Sequence, residues 1–101
     1  MPSPPNLPPW PRRQTRSVSV GEVVFGGAAP ISIQSMAKAD TAEPDAVLEQ
    51  IRRCALAGAQ IMRVAVPSAH VLNGFERICA ESPLPIVADV HFDYRLAVAA
   101  A

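Results

Sequence analysis

Three apolar segments, each followed by a helical pattern, constrain the fold more than any other feature of the sequence. The segments start near Ile31, Ile61 and Ile86, so successive starts lie about 30 and 25 residues apart. A spacing of this size holds one strand and one crossover helix, and it therefore predicts parallel strands. The segments PISIQSM, IMRVAV and PLPIVADV are apolar almost throughout, which predicts burial on both faces of a sheet.

Two complete helical patterns separate these segments, in residues 39–59 and 68–82, and a third begins at YRLAVAAA. Apolar residues recur at helical spacing in both, at Val47, Ile51, Cys54 and Ala55 and then at Val71, Phe75, Ile78 and Cys79. Gly58 fits the position just after a helix end, and Ser68 fits an N-cap. Gly74 weakens the second helix.

The N-terminal region divides into a tail and a hairpin. Residues 1–16 are rich in proline and lack acidic side chains, so we expect a disordered tail, with the folded domain in 17–101. A proline-rich ligand for an aromatic groove is an alternative role for this tail. Valine alternates with polar residues on both sides of Gly21-Glu22, and this pattern predicts a short hairpin.

The order of these elements predicts an α/β fold, the N-terminal part of a TIM-type (β/α)8 barrel. A hairpin and about three βα units fit into 101 residues, whereas a complete barrel takes about 250. The barrel is therefore expected to be incomplete in this chain, as the N-terminal piece of a larger protein that does not fold stably alone. A doubly wound, flavodoxin-like sheet is the structural alternative.

Composition excludes several classes of function. The formal net charge is zero, which argues against general binding to nucleic acid or a membrane surface, and no apolar run is long enough to span a bilayer. Cys54 and Cys79 are too far apart to form a metal motif, so we expect no metal ligands and interpret both as small buried residues. Without a recognisable secretory signal, the cytoplasm is the expected compartment.

Four polar side chains are expected near the mouth of the barrel: Gln34, Arg63, Asp89 and His91. Side chains alternate along a strand, so each strand places its polar group on one face. The carboxyl ends of barrel strands are where active sites form, and this set suits a small, anionic, hydroxylated ligand. The opposite faces are expected to pack under the helices, with Ile31, Ile33, Val64, Val66, Ile86, Ala88 and Val90.

Each of these residues also has a structural interpretation. Arg63 and Asp89 could form a buried ion pair between adjacent strands, and His91 could be a core histidine that donates to a carbonyl. Asp40 and Thr41 are interpreted as capping residues of the first long helix. Asp93, Tyr94 and Arg95, within the segment HFDYRLA, similarly fit the cap and first turn of the next helix.

Three motifs in order, ISIQSMAKADT, AGAQIMRVAVP and LPIVADVHFDYRLA, resemble the N-terminal portion of the 4-hydroxy-3-methylbut-2-enyl diphosphate synthases. The resemblance begins near RRQTRSVSVGEV and runs to the end of the chain. It implies a barrel domain followed by a domain, absent here, that holds a [4Fe-4S] cluster on three cysteines and one glutamate. It also implies a homodimer and a reduced flavodoxin or ferredoxin as electron donor.

The same resemblance implies a reaction and roles for the four polar residues. The synthases convert 2-C-methyl-D-erythritol 2,4-cyclodiphosphate to the linear hydroxymethylbutenyl diphosphate. Carried over, Arg63 grips the diphosphate, Gln34 and Asp89 orient the ligand, and His91 donates a hydrogen bond or proton near the departing oxygen. His91 and Asp89 are thus the expected catalytic residues. The chain departs from the family at Ala37-Lys38, where Thr-Asn is usual.

Two other functions remain open from the sequence. A pterin-binding or other phosphate-handling TIM barrel would share the same mouth without needing cysteine ligands. A non-catalytic interaction fragment would use the proline-rich tail instead.

Overall fold

The chain folds as a hairpin followed by three strands that alternate with three helices. The computed structural model describes residues 13–101. The strands and helices are β1 (Val18–Val20), β2 (Val23–Phe25), β3 (Gln34–Met36), α1 (Pro44–Leu56), β4 (Ile61–Ala65), α2 (Leu72–Glu81), β5 (Ile86–Asp89) and α3 (Tyr94–Ala100). A short 3-10 turn, Ala69–Val71, precedes α2.

The last three strands form a parallel sheet in the order β3-β4-β5. Met36 of β3 pairs with Arg63 of β4, and Ala65 of β4 pairs with Asp89 of β5. Because each pair of parallel strands is joined by a helix, the predicted βα alternation is confirmed, and the fold class is α/β.

The helices pack against one face of this sheet. The core is formed mainly by buried side chains from α1, from α2, and from alternating positions of β4 and the residue after it: Val47, Leu48, Ile51, Phe75, Ile78, Met62, Val64 and Val66. Cys54 is partly buried against this core, whereas Cys79 is exposed because it lies at the flank of the stripe formed by Phe75 and Ile78. The expected burial of Cys79 is therefore wrong.

The apolar residues before β3 do not join this core. Ile31 is 94% exposed and Ile33 is 57% exposed, so their predicted packing under the helices is wrong. The strand starts only at Gln34, and the segment before it is held by its backbone, through the amide of Ile33 that donates to Oε1 of Gln60 at 2.8 Å. An apolar run predicts a strand but not where the helices cover it.

The predicted hairpin is confirmed, with β1 and β2 antiparallel across Gly21-Glu22. Gly21 has a φ of 58°, and a Cβ there would lie 2.7 Å from Cγ of Pro85, so the turn packs closely beside the residue that precedes β5. Gln60, just before β4, lines cavities with the same hairpin. The hairpin therefore lies beside the amino ends of β4 and β5. Residues 1–12 of the predicted tail lie outside the described residues.

Helices α1 and α2 are joined by a charged contact and a close backbone approach. Nη2 of Arg77 in α2 lies 2.5 Å from Oδ1 of Asp45 in α1, and Nε of Arg77 lies 2.7 Å from Oε2 of Glu81. A Cβ on Gly74 would lie 2.6 Å from the carbonyl oxygen of Thr41, so only glycine lets α2 approach the chain before α1 this closely. In residues 13–101, no helix has the length and apolar character needed to cross a membrane.

Candidate functional site

Three of the predicted polar side chains meet at the carboxyl end of the sheet. Oδ1 of Asp89 lies 3.0 Å from Nη2 of Arg63 and 3.0 Å from Nε2 of His91. Asp89 ends β5, Arg63 lies in β4, and His91 follows β5 by two residues. The alternation of side chains along β5 puts Asp89 and His91 on one face, as predicted.

The three side chains differ in their exposure. The carboxylate of Asp89 is 9% exposed, whereas the side chains of Arg63 and His91 are 42% and 61% exposed. The hydrogen bond from Arg63 is the main reason that the pKa of Asp89 lies below its ordinary value. The charge of Arg63 and the contact with His91 act in the same direction, against the effect of burial. A buried anion thus holds two accessible nitrogen donors.

This geometry bears on the structural interpretations of Arg63 and His91. Arg63 pairs with Asp89 of the adjacent strand, as its structural interpretation predicts, and its guanidinium is still 42% exposed. His91 contacts a carboxylate and is mostly exposed, so its interpretation as a core histidine bound to a carbonyl is wrong.

Gln34 is not part of this cluster. It is the first residue of β3 and pairs with Ile61, whereas the sequence predicts it at the carboxyl end of its strand. Asp89 is level with Ala65, which lies four residues after Ile61 in β4. Gln34 and Asp89 are therefore separated by about 13 Å along the strand direction. The same alternation places Gln34 on the face that carries Arg63, but nearer the amino ends of the strands.

The loop between β3 and α1 is fixed at the same end of the sheet. Thr41 is buried and donates from Oγ1 to the carbonyl of Ala65 at 2.5 Å. Oε1 of Gln50 accepts from the backbone amides of Lys38 and Ala39, both at 2.9 Å. These bonds tie the loop to β4 and to α1. From the sequence, Thr41 is interpreted as a helix cap and Gln50 is not singled out, because no periodic pattern marks a hydrogen-bond partner in another element.

The predicted capping of α1 by Asp40 and Thr41 is wrong. Glu43 is the N-cap and makes no side-chain cap bond. Asp40 instead accepts from the amide of Ala42 at 2.9 Å, which forms a local turn, and Thr41 is used to hold β4.

The second loop at this end, between β5 and α3, contains a predicted cap and an unpredicted turn. Asp93 caps α3 by accepting from the amide of Arg95 at 3.0 Å, which confirms the prediction. Between Asp93 and His91, Phe92 has a φ of 61°, a conformation that costs about 1–3 kcal/mol in a residue other than glycine. No sequence pattern marks a phenylalanine for this conformation.

The comparisons with known proteins agree with this architecture. Residues 15–101 match a protein family described as the GcpE TIM-barrel domain. The chain belongs to this family. The match covers nearly the whole described part of the molecule, including the hairpin, the parallel sheet and the three residues of the site.

Two curated proteins similar to this GcpE-family chain share the name 4-hydroxy-3-methylbut-2-en-1-yl diphosphate synthase (flavodoxin). The protein from Acinetobacter baylyi is 52% identical over 93 residues, which is 92% of this chain and 25% of the relative. The protein from Magnetococcus marinus is 49% identical over 90 residues, 89% of this chain and 24% of the relative. The chain therefore spans about a quarter of the length of these relatives.

The described part of this GcpE-family chain does not fit an iron-sulfur cluster. Within residues 13–101, no three side chains of His, Cys, Asp or Glu are grouped to hold a metal ion. Cys54 and Cys79 lie on different helices, and both are free thiols.

Proposed function

We propose that this chain forms the first part of a TIM-type (β/α)8 barrel in a 4-hydroxy-3-methylbut-2-enyl diphosphate synthase. The family match, the identity of about half of the residues to such synthases, and the hairpin followed by parallel βα units support this proposal. The proposed substrate is 2-C-methyl-D-erythritol 2,4-cyclodiphosphate, and the proposed product is the linear hydroxymethylbutenyl diphosphate.

The contact of one Asp89 oxygen with both Arg63 and His91 carries this proposal, because it would hold two nitrogen donors in place for an anionic ligand. Arg63 would bind a phosphate oxygen through its exposed guanidinium. Asp89 would hold both donors in place, and His91 would donate a hydrogen bond or proton near the departing oxygen. Gln34, on the same face but nearer the amino ends of the strands, would orient the part of the ligand furthest from Asp89.

The reductive part of the reaction belongs to residues outside this site. The names of the relatives specify flavodoxin, so flavodoxin is the proposed electron donor, and ferredoxin is the alternative. We also propose a homodimer and a [4Fe-4S] cluster bound elsewhere in the full-length protein. A cytoplasmic location fits the two free thiols.

Replacement of Arg63 tests the proposal in the full-length protein. A charge-assisted hydrogen bond contributes about 1.5–3 kcal/mol, so we expect Arg63→Ala to weaken binding of the cyclic diphosphate about ten- to a hundredfold. Calorimetric titration measures this affinity. Arg53→Ala is the matched control, because Arg53 pairs with Glu49 on an exposed face of α1.

The control should bind the cyclic diphosphate as the unmodified protein does. Equal affinity of the Arg63→Ala variant and the unmodified protein would remove Arg63 from the binding site. Failure of the unmodified full-length protein to bind or convert the cyclic diphosphate would reject the proposed function itself.

A further inference from the structure

Phe92 combines two features that are unusual together. Its side chain is fully exposed, and its φ of 61° lies in the left-handed region that favours glycine. A single exposed apolar residue is ordinary, and a left-handed turn alone would be served best by glycine. A large aromatic ring held outward on a strained backbone therefore points to a use for the ring.

The turn at Phe92 is short because the chain must change direction within a few residues. Asp89 ends β5, and Asp93 already caps α3. The amide of Asp93 donates to the carbonyl of His91 at 2.7 Å, which closes the turn around Phe92 alone. The cap at Asp93 and the strand at Asp89 fix both ends of this turn, and they hold Phe92 in its conformation.

The ring of Phe92 is an aromatic neighbour of the imidazole of His91. The two ring centroids are 6.1 Å apart with an interplanar angle of 40°, a tilted arrangement within the range of favourable aromatic pairs. On its other side, Nε2 of His91 lies 3.0 Å from Oδ1 of Asp89. The imidazole, which is otherwise mostly exposed, thus has one aromatic and one carboxylate neighbour.

We propose that Phe92 is a positioning residue that holds the imidazole of His91 against Asp89. This inference rests on the proposed function of His91 at the carboxyl end of the sheet. The left-handed turn aims the ring at His91, and the ring restricts the rotamers that an exposed imidazole would otherwise sample. Phe92 acts through His91 and does not itself contact the substrate.

Two substitutions in the full-length protein separate the ring from the turn. Phe92→Gly keeps the turn, because glycine adopts a positive φ without strain, and it removes the ring. Phe92→Tyr keeps an aromatic ring. Tyr94→Ala is the matched control, because it removes another exposed aromatic ring two residues away.

We expect Phe92→Gly to lower kcat for the cyclic diphosphate about ten- to a hundredfold with an unchanged KM, since displacing a catalytic group by 1 Å can cost about a hundredfold. Phe92→Tyr and Tyr94→Ala should retain kcat. The thermal unfolding midpoint of Phe92→Gly should equal or exceed that of the unmodified protein, which shows that the loss of kcat is not a loss of folding. An unchanged kcat, or a change confined to KM, would overturn the proposal.

A crystal structure of the Phe92→Gly protein tests the inference without any turnover. We expect the imidazole of His91 to occupy more than one rotamer and to lose its 3.0 Å contact with Asp89. A single His91 orientation with that contact intact would overturn the role of Phe92. This readout remains valid even if the unmodified protein does not convert the cyclic diphosphate, a result that would count against the proposed function alone.

Discussion

At the scale of single residues, Asp89 determines the geometry of the candidate site. Its carboxylate is the least exposed of the three side chains, and one of its oxygens contacts both nitrogen donors. Removing this carboxylate would leave Arg63 without its partner and His91 without its anchor. Stability and site geometry are therefore linked through the same atom.

This linkage predicts how the stability of the full-length protein depends on pH. The pKa of Asp89 is lowered in the folded state, mainly by the hydrogen bond from Arg63, so the folded protein favours the charged carboxylate. The stabilisation is present above the ordinary pKa, about 3.9, and is lost as the pH falls through the lowered value. We expect the difference in unfolding free energy between the unmodified protein and Asp89→Asn to shrink on acidification.

Chemical denaturation between pH 7 and pH 3 measures this difference. Arg63→Met is the companion variant, because it keeps Asp89 but removes the main cause of the lowered pKa. It should show a weaker dependence on acidification than the unmodified protein. A difference between Asp89→Asn and the unmodified protein that stays constant over the whole range would contradict the expectation.

Sequence reasoning at this scale succeeds where a strand pattern fixes the side chain. Alternation along β4 and β5 correctly puts Arg63, Asp89 and His91 on one face. It fails for Thr41, whose partner is the carbonyl of Ala65 in another element, and for Phe92. These two residues depend on loop conformations, which are set by the elements on either side and not by local periodicity.

At the scale of elements, the contact between α1 and α2 explains a glycine that the sequence presents as a weakness. Gly74 lies inside α2, where alanine would ordinarily stabilise a helix. In the structure Gly74 lies so near the carbonyl oxygen of Thr41 that no Cβ would fit between them. This lets α2 pack beside the chain leading into α1. Helical spacing predicts α2 but cannot show this approach, because it depends on a residue in a different element.

The close approach at Gly74 reverses the usual effect of an alanine substitution. A Cβ 2.6 Å from a backbone oxygen forces the two segments apart, so we expect Gly74→Ala to destabilise the full-length protein by about 1–3 kcal/mol. Chemical denaturation measures the change. Ala80→Gly, at an exposed position of the same helix, is the control and should cost about 1 kcal/mol through helix propensity alone. An increase in stability for Gly74→Ala would show that the helices can separate without cost.

At the scale of the whole molecule, the helices cover one face of the parallel sheet and leave much of the rest open. Within the described residues, β3 and β5 each pair on one side only. Ile31, Ile33 and Met36, at or before β3, are exposed. The number of βα units in the sequence predicts an incomplete barrel, but it could not predict the exposure of Ile31 and Ile33, which depends on where the helices lie.

These open surfaces predict the behaviour of the 101-residue chain in isolation. Unpaired strand edges and uncovered apolar residues favour association over a stable monomer, so we expect no cooperative thermal transition for the purified chain. Circular dichroism during heating, together with light scattering, measures both properties. Ile31→Ser combined with Ile33→Ser should reduce association without restoring a cooperative transition. A sharp, concentration-independent transition of the unmodified chain would contradict this expectation.

The position of the hairpin affects where small molecules can enter and leave. Its turn at Gly21 packs against Pro85, beside the amino ends of β4 and β5, whereas Arg63, Asp89 and His91 meet at the opposite end. With one end of the sheet occupied in this way, we expect the substrate and product of the proposed reaction to enter and leave at the end that carries Arg63, Asp89 and His91. A product molecule that has not yet departed therefore blocks the next substrate, and product inhibition should be competitive.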